Sequence, residues 1–145
     1  ANVKSAIASV QQAQAELNLS SILAPINGQV LKINTWPGEI IGNKGILELG
    51  QTQQMYVVAE VYETDIKKVR LGQSVTITGE AFTGTLKGTV TDIGLQVGRQ
   101  NIFNTNPGSD TDNKIVNVKI RIDNPADNQR VSSLTNLQVQ VLIKI

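Results

Sequence analysis

Neither cysteine nor histidine occurs anywhere in the 145 residues. Zinc sites built on thiolate or imidazole are therefore excluded, and so are cysteine nucleophiles and histidine general bases. The missing cysteines do not choose a compartment, because a chain without disulfides suits the periplasm and the cytosol alike. Aromatic residues are scarce: two Phe, two Tyr and one Trp. Net charge is only +1, and no basic cluster is interleaved with stacking aromatics. The footprint of a nucleic-acid binder is thus missing. No apolar run approaches the roughly 20 residues that a membrane-spanning helix needs. No secretory leader is visible at Ala1, and the chain opens in mid-helix without an initiator Met, so a fragment of a longer protein is expected.

Hydrophobic residues make up 40% of the chain, which is enough for a packed core. With so few aromatics that core must rest on Val, Ile and Leu, and the β-branched members favour strands. The first segment is different. From Asn2 to Asn18, Val3, Ile7, Val10 and Leu17 recur at three-to-four spacing, with Ala6 and Ala13 on the same stripe and Gln14 interrupting it. This predicts a helix. Its narrow stripe suits either a coiled-coil seam or an amphipathic helix lying on a sheet.

Beyond it the pattern turns to strands. Ser20–Ala24 reads as a strand, "APING" as a turn, and Gln29–Asn34 as a second strand. Pro25 cannot donate to a ladder, and Gly28 is free to take positive φ. "TWPGE" places Pro37 and Gly38 in the order of a type II turn. Ile40–Ile41 and Ile46–Leu49 read as short strands around a "GNKG" turn. After the polar break at 50–54, alternation marks strands at Met55–Tyr62, "QSVTIT", Thr85–Val97, Lys114–Asp123 and Asn136–Ile145. "TDIKKVRLG" reads as a short helix begun by Thr64 or Asp65 and ended by Gly72. Gly98–Asn113 and "NPADNQRVSS" read as loops.

Few residues suggest chemistry. Carboxylates at Glu60, Glu63, Asp65, Glu80, Asp92, Asp123 and Asp127 lack any spacing that pairs two across a cleft, and solvated faces account for them. "DTDN", with Asp110 and Asp112, opens like a calcium loop but lacks the later Gly and bidentate Glu. "GNKG" has no following Lys-Ser/Thr and no helix to cradle phosphate. "NLS" at Asn18–Ser20 fits a glycosylation acceptor but reads as a helix end. Trp36, the single Trp, sits in a turn. It either folds back over the sheet or serves as an exposed contact.

In order, "LNLSSILAPINGQV", "PGE", "MYVVAEVYETDIKKVRLGQSVTI" and "LTNLQVQVLIKI" resemble the membrane fusion proteins, the periplasmic adaptors of tripartite exporters. The likeness rests on Ala24, Pro25 and Gly28 in the first motif. Val61, Glu63, Asp65, Ile66, Val69, Gly72, Gln73 and Val75 carry it at the start of the barrel. Asn136-Leu137 departs from the family's usual Gly-Met. Among such adaptors the chain is most similar to the macrolide-exporter type and to the DevB-like adaptors of cyanobacterial heterocyst-glycolipid exporters.

The resemblance implies a mainly β fold. Residues 1–19 would be the foot of an α-helical coiled-coil hairpin. Residues 20–52 would be the second half of a lipoyl-like β-sandwich, and 53–145 a six-stranded β-barrel with one short helix. It implies a non-enzymatic adaptor without metal or cofactor, linking an inner-membrane ABC transporter to a TolC-like outer-membrane channel. A glycolipid or other hydrophobic substrate would be exported. The location would be the periplasm, with anchoring to the inner membrane through a segment absent from this chain. The full-length protein would form a hexamer; this piece would be a monomer or weak dimer. In related adaptors a Gln on the second-half turn narrows the ring. Pro37 stands at that position and cannot make the same hydrogen bonds, so Trp36 beside it would constrict by bulk.

Other readings remain open. An adaptor of a proton-driven drug efflux pump fits the same pattern. A biotinyl or lipoyl carrier fits the turns but lacks an acceptor Lys at a hairpin tip, and a mass adduct would reveal one. A small-ligand barrel would need more aromatic and convergent polar groups.

Overall fold

The structure, a computed structural model, describes residues 1–99 and 114–145. From residue 100 onward the expected polar loop lies outside the described residues, and so does the Asp110/Asp112 pattern. The fold is mainly β, with a nearly closed barrel-like sheet, a small hairpin and an N-terminal helix.

Helix α1 covers Asn2–Leu19, and none of its residues is buried. Its stripe is open to solvent, with Val3, Ile7, Val10 and Leu17 each more than half exposed. The amphipathic-helix-on-sheet reading is therefore set aside: no residue of α1 is buried against the described strands. The hairpin pairs β1 (Gln29–Ile33) with β2 (Leu47–Gly50) in antiparallel register, Gln29 opposite Gly50 and Ile33 opposite Leu47, with a break between Val30 and Lys32. Two expected strands do not form. Ser20–Ala24 and Ile40–Ile41 are irregular. A strand exists only where a neighbour accepts its backbone groups, and neither segment has one among the described residues.

The remaining strands are β3 (Tyr56–Tyr62), β4 (Ser74–Thr78), β5 (Leu86–Arg99), β6 (Lys114–Ile122) and β7 (Gln140–Ile143). They form one antiparallel sheet in the order β3-β6-β5-β4-β7. Period-two alternation puts Val118, Ile120 and Ile122 of β6 inward while Asn117, Lys119 and Arg121 face out. Val75, Ile77, Leu86 and Val90 meet them in the core. Burying each such side chain stabilises the fold by about 1.5–3 kcal/mol. β5 is long and bent, and its register against β6 shifts between Val90 and Asp92 and again between Ile93 and Val97. Such bulges sharpen the twist that curls a sheet toward closure.

Five strands are described where six were expected. The edges β3 and β7 are not hydrogen-bonded to each other, and no described strand pairs between them. An open cavity of about 970 Å³ runs along this seam, lined by apolar residues such as Val57, Phe82 and Val139 and by polar ones such as Asn117, Thr135 and Gln138. The helix content differs too. The expected short helix is a single 3-10 turn, Ile66–Lys68. A second helix, α2 (Pro125–Val131), replaces an expected loop. Its start is encoded locally: the Asn124 side chain accepts from the Ala126 amide at 2.9 Å, and Pro125 supplies a preset φ in the first turn.

Candidate ring turn and barrel-start motif

The turn that carries Trp36 is tightly built. The Glu39 amide donates to the Trp36 carbonyl at 3.1 Å, and Gly38 sits at φ +92°. This is the type II turn that the Pro-Gly order predicts. The Trp36 amide in turn donates to the Glu39 carboxylate at 2.8 Å. Below the turn the loop is stitched shut. Asn34 and Thr35 amides both donate to the Ile46 carbonyl, and the Thr35 hydroxyl donates to the Gly45 carbonyl at 2.9 Å. The Asn34 side-chain amide donates to the Lys44 carbonyl at 3.0 Å. The result holds Trp36 outward at 60% exposure, near Ile40 at 96% and Ile41 at 52%. Trp36 is therefore not folded back over the sheet.

Ala24, Pro25 and Gly28 lie at the other end of β1, on the approach from α1. Gly28 does not take positive φ, contrary to the sequence reading. It is needed for space. A Cβ there would come 2.5 Å from the Gly50 carbonyl oxygen and 3.5 Å from Leu49 Cγ.

Glu63, Asp65, Gly72 and Gln73 lie around the turn between β3 and β4. Asp65 precedes the 3-10 turn but makes no side-chain cap; its carboxylate accepts from Lys68 Nζ at 3.0 Å. That pair is exposed and contributes little. Gly72 does not end the helical turn, which closes at Val69 in extended conformation. It sits at φ +84° in the following turn, with its amide donating to the Val90 carbonyl. Gln73 ties the loop together: its Oε1 accepts from the Arg70 amide at 2.8 Å, and its Nε2 donates to the Lys68 carbonyl at 3.2 Å. The Glu63 amide donates to the Lys114 carbonyl, continuing the β3–β6 ladder.

The structure therefore does not bring the three groups of residues together. They occupy the two ends of β1 and one end of the barrel. Among the described residues no cluster of three or more acidic side chains is placed to hold a metal ion, and no helix is long and apolar enough to cross a membrane. Sequence reasoning missed Asn128 and Gln54. Asn128 is the one buried polar residue among those described, at 3% exposure. The Asn-Pro pair at 124–125 was the signal for its helix.

The chain is similar in sequence and in fold to membrane fusion proteins, or periplasmic adaptors. In particular, it is 28% identical over 121 residues to the multidrug export protein EmrA of Escherichia coli, a match covering 83% of this chain and 31% of EmrA. A solved structure of the periplasmic adaptor EmrA superposes with a TM-score of 0.54 at 20% identity, over 99% of this chain and 38% of that one. A MacA-MexA chimera carrying the Pseudomonas aeruginosa MexA α-hairpin gives 0.66 at 23% identity, over 95% and 46%. The membrane fusion protein Spr0693 of Streptococcus pneumoniae gives 0.60 at 16% identity, over 97% and 56%. No protein-family profile matches the chain. The chain spans about a third of the length of EmrA.

Proposed function

We propose that this chain is the hairpin-and-barrel portion of a non-enzymatic periplasmic adaptor. In this reading it links an inner-membrane ABC transporter to a TolC-like outer-membrane channel and supports export of a glycolipid or other hydrophobic substrate. The observation that supports the reading is the fold likeness to the MacA-MexA chimera, with a TM-score of 0.66 across 95% of the chain. Residues 1–19 would then be the foot of a helical hairpin, 20–52 half of a lipoyl-like domain, and 53–145 the barrel domain. Six copies in the full-length protein would form a ring, with Trp36 and Pro37 facing the channel. Ala24, Pro25 and Gly28 would shape the lipoyl-side turn. Glu63, Asp65, Gly72 and Gln73 would shape the start of the barrel.

A second reading, the adaptor of a proton-driven drug pump, is favoured by one observation: the relative EmrA is a multidrug export protein. One experiment separates the two. The gene for the parent protein is deleted, and envelope lipids and drug susceptibility are both measured. Retained glycolipid with unchanged drug tolerance supports the ABC reading. Lost drug tolerance with normal lipid export supports the drug pump. No change in either quantity overturns both.

A further inference from the structure

We infer that Asn128 is a positioning residue that pins the barrel side of the joint between the β1–β2 hairpin and the barrel, confining bending to residues 51–53. A side-chain amide has two donor hydrogens and two acceptor lone pairs, and Asn128 uses all four. Its Oδ1 accepts from the Met55 amide at 2.6 Å and from Gln54 Nε2 at 3.3 Å. Its Nδ2 donates to the carbonyls of Ile122 at 3.0 Å and Asn124 at 3.1 Å. Gln54 Nε2 also reaches the carbonyls of Ile122 at 3.0 Å and Met55 at 3.2 Å, so its two hydrogens are shared among three acceptors. One buried side chain thus fastens three pieces of chain: the first residues of the barrel, the end of β6 and the first turn of α2. Losing it would strand buried donors and acceptors, and that asymmetry makes such a group a firm anchor.

The hairpin side is equally fixed. Gly50 pairs with Gln29 in the β1–β2 ladder, and the Leu31 side chain closes over it. Between these anchors lie only Gln51, Thr52 and Gln53. Their side chains make a single described hydrogen bond, Thr52 Oγ1 to Gln29 Oε1 at 3.1 Å, and it reaches back to the hairpin. Neither hairpin strand packs substantially on a barrel strand. Few buried contacts and little hydrogen bonding define a segment that opens at low cost. Freedom is therefore concentrated at 51–53, and the Gln54–Asn128 clamp sets where it ends.

The chain contains no cysteine, so two introduced thiols label uniquely. Spin labels at Lys44→Cys, in the exposed hairpin loop, and Glu80→Cys, in an exposed barrel turn, report the joint by pulsed dipolar spectroscopy. Asn128→Ala is expected to broaden the distance distribution about twofold and to raise exchange at the Met55 amide, while the barrel keeps one unfolding transition. Gln54→Ala is the second variant, since it cuts the clamp without opening a buried cavity at α2. It is expected to broaden the distribution in the same direction, and it decides the matter if Asn128→Ala does not fold. Faster exchange at Met55 with an unchanged distribution in a folded variant overturns the inference.

Discussion

Gly28 faces the Gly50 carbonyl so closely that a side chain on Gly28 would begin 2.5 Å from that oxygen. The contact joins the approach from α1 to the last residue of β2. Gly28→Val therefore forces the two backbones apart and is expected to cost about 1–3 kcal/mol. The loss should be local. Amide exchange at Val30 and Leu49 should rise while exchange in β6 stays slow, and exchange that rises equally in both would show that the hairpin and barrel unfold together.

The turn before β4 offers a second test. Gly72 occupies the left-handed region at φ +84°, where a Cβ would meet nothing within 4 Å but any residue other than glycine would be strained. Gly72→Ala should cost about 1–2 kcal/mol. Gln73→Ala removes two hydrogen bonds and should cost a similar amount. For a domain of this size each change lowers the melting temperature by roughly 4–8 °C per kcal/mol. An unaltered Tm for both would remove this motif from the barrel's stability.

Trp36 is the only Trp, so its fluorescence reports one place. At 60% exposure it should be strongly quenched by acrylamide in the isolated chain. Trp36→Ala should change stability by no more than about 0.5 kcal/mol. If the turn lines a ring in the full-length protein, quenching should fall on assembly. Equal quenching before and after assembly would argue against the ring position of Trp36 and Pro37.

Helix α1 buries nothing, so only its own backbone bonds and local side-chain pairs such as Gln12 with Glu16 hold it. Most helical stability in proteins comes from packing an apolar face, which α1 lacks among the described residues. Far-UV dichroism should therefore lose helical signal gradually on mild heating, before the cooperative transition of the barrel. A single shared transition would mean that α1 is docked.

The same exposed surfaces bear on association. Val30, Leu31, Ile33 and Leu47 of the hairpin are all about two-fifths exposed or more. Without the rest of a ring they are expected to support a monomer or weak dimer in dilute solution. A stable hexamer in sedimentation would contradict that expectation.

Strict alternation made β6 legible, and every residue from Asn117 to Ile122 faces as the pattern requires. The Trp36–Glu39 turn was legible because Pro and Gly each leave one conformation favoured at their place. Ser20–Ala24 misled because apolar composition says nothing about whether a partner strand is near. Gly28 misled for a related reason: its role is a contact with Gly50, 22 positions away, and local sequence carries no trace of it. Asn124-Pro125 did carry the start of α2, but the same pair also initiates turns. The tetravalent use of Asn128 could not be read at all, since its partners come from three separate segments.

An 18-residue helix measures about 27 Å from end to end. Standing free of the sheet, α1 acts as a lever: tilting it by roughly 10° about its base sweeps its far end through about 5 Å, close to one helical pitch. A tilt of only about 3° near Ser20 would already carry the end that bears Val3 and Ile7 sideways by roughly 1.4 Å, enough to disturb side-chain packing against a neighbouring helix. Angular accuracy where the chain leaves the helix sets where the distant end can mate.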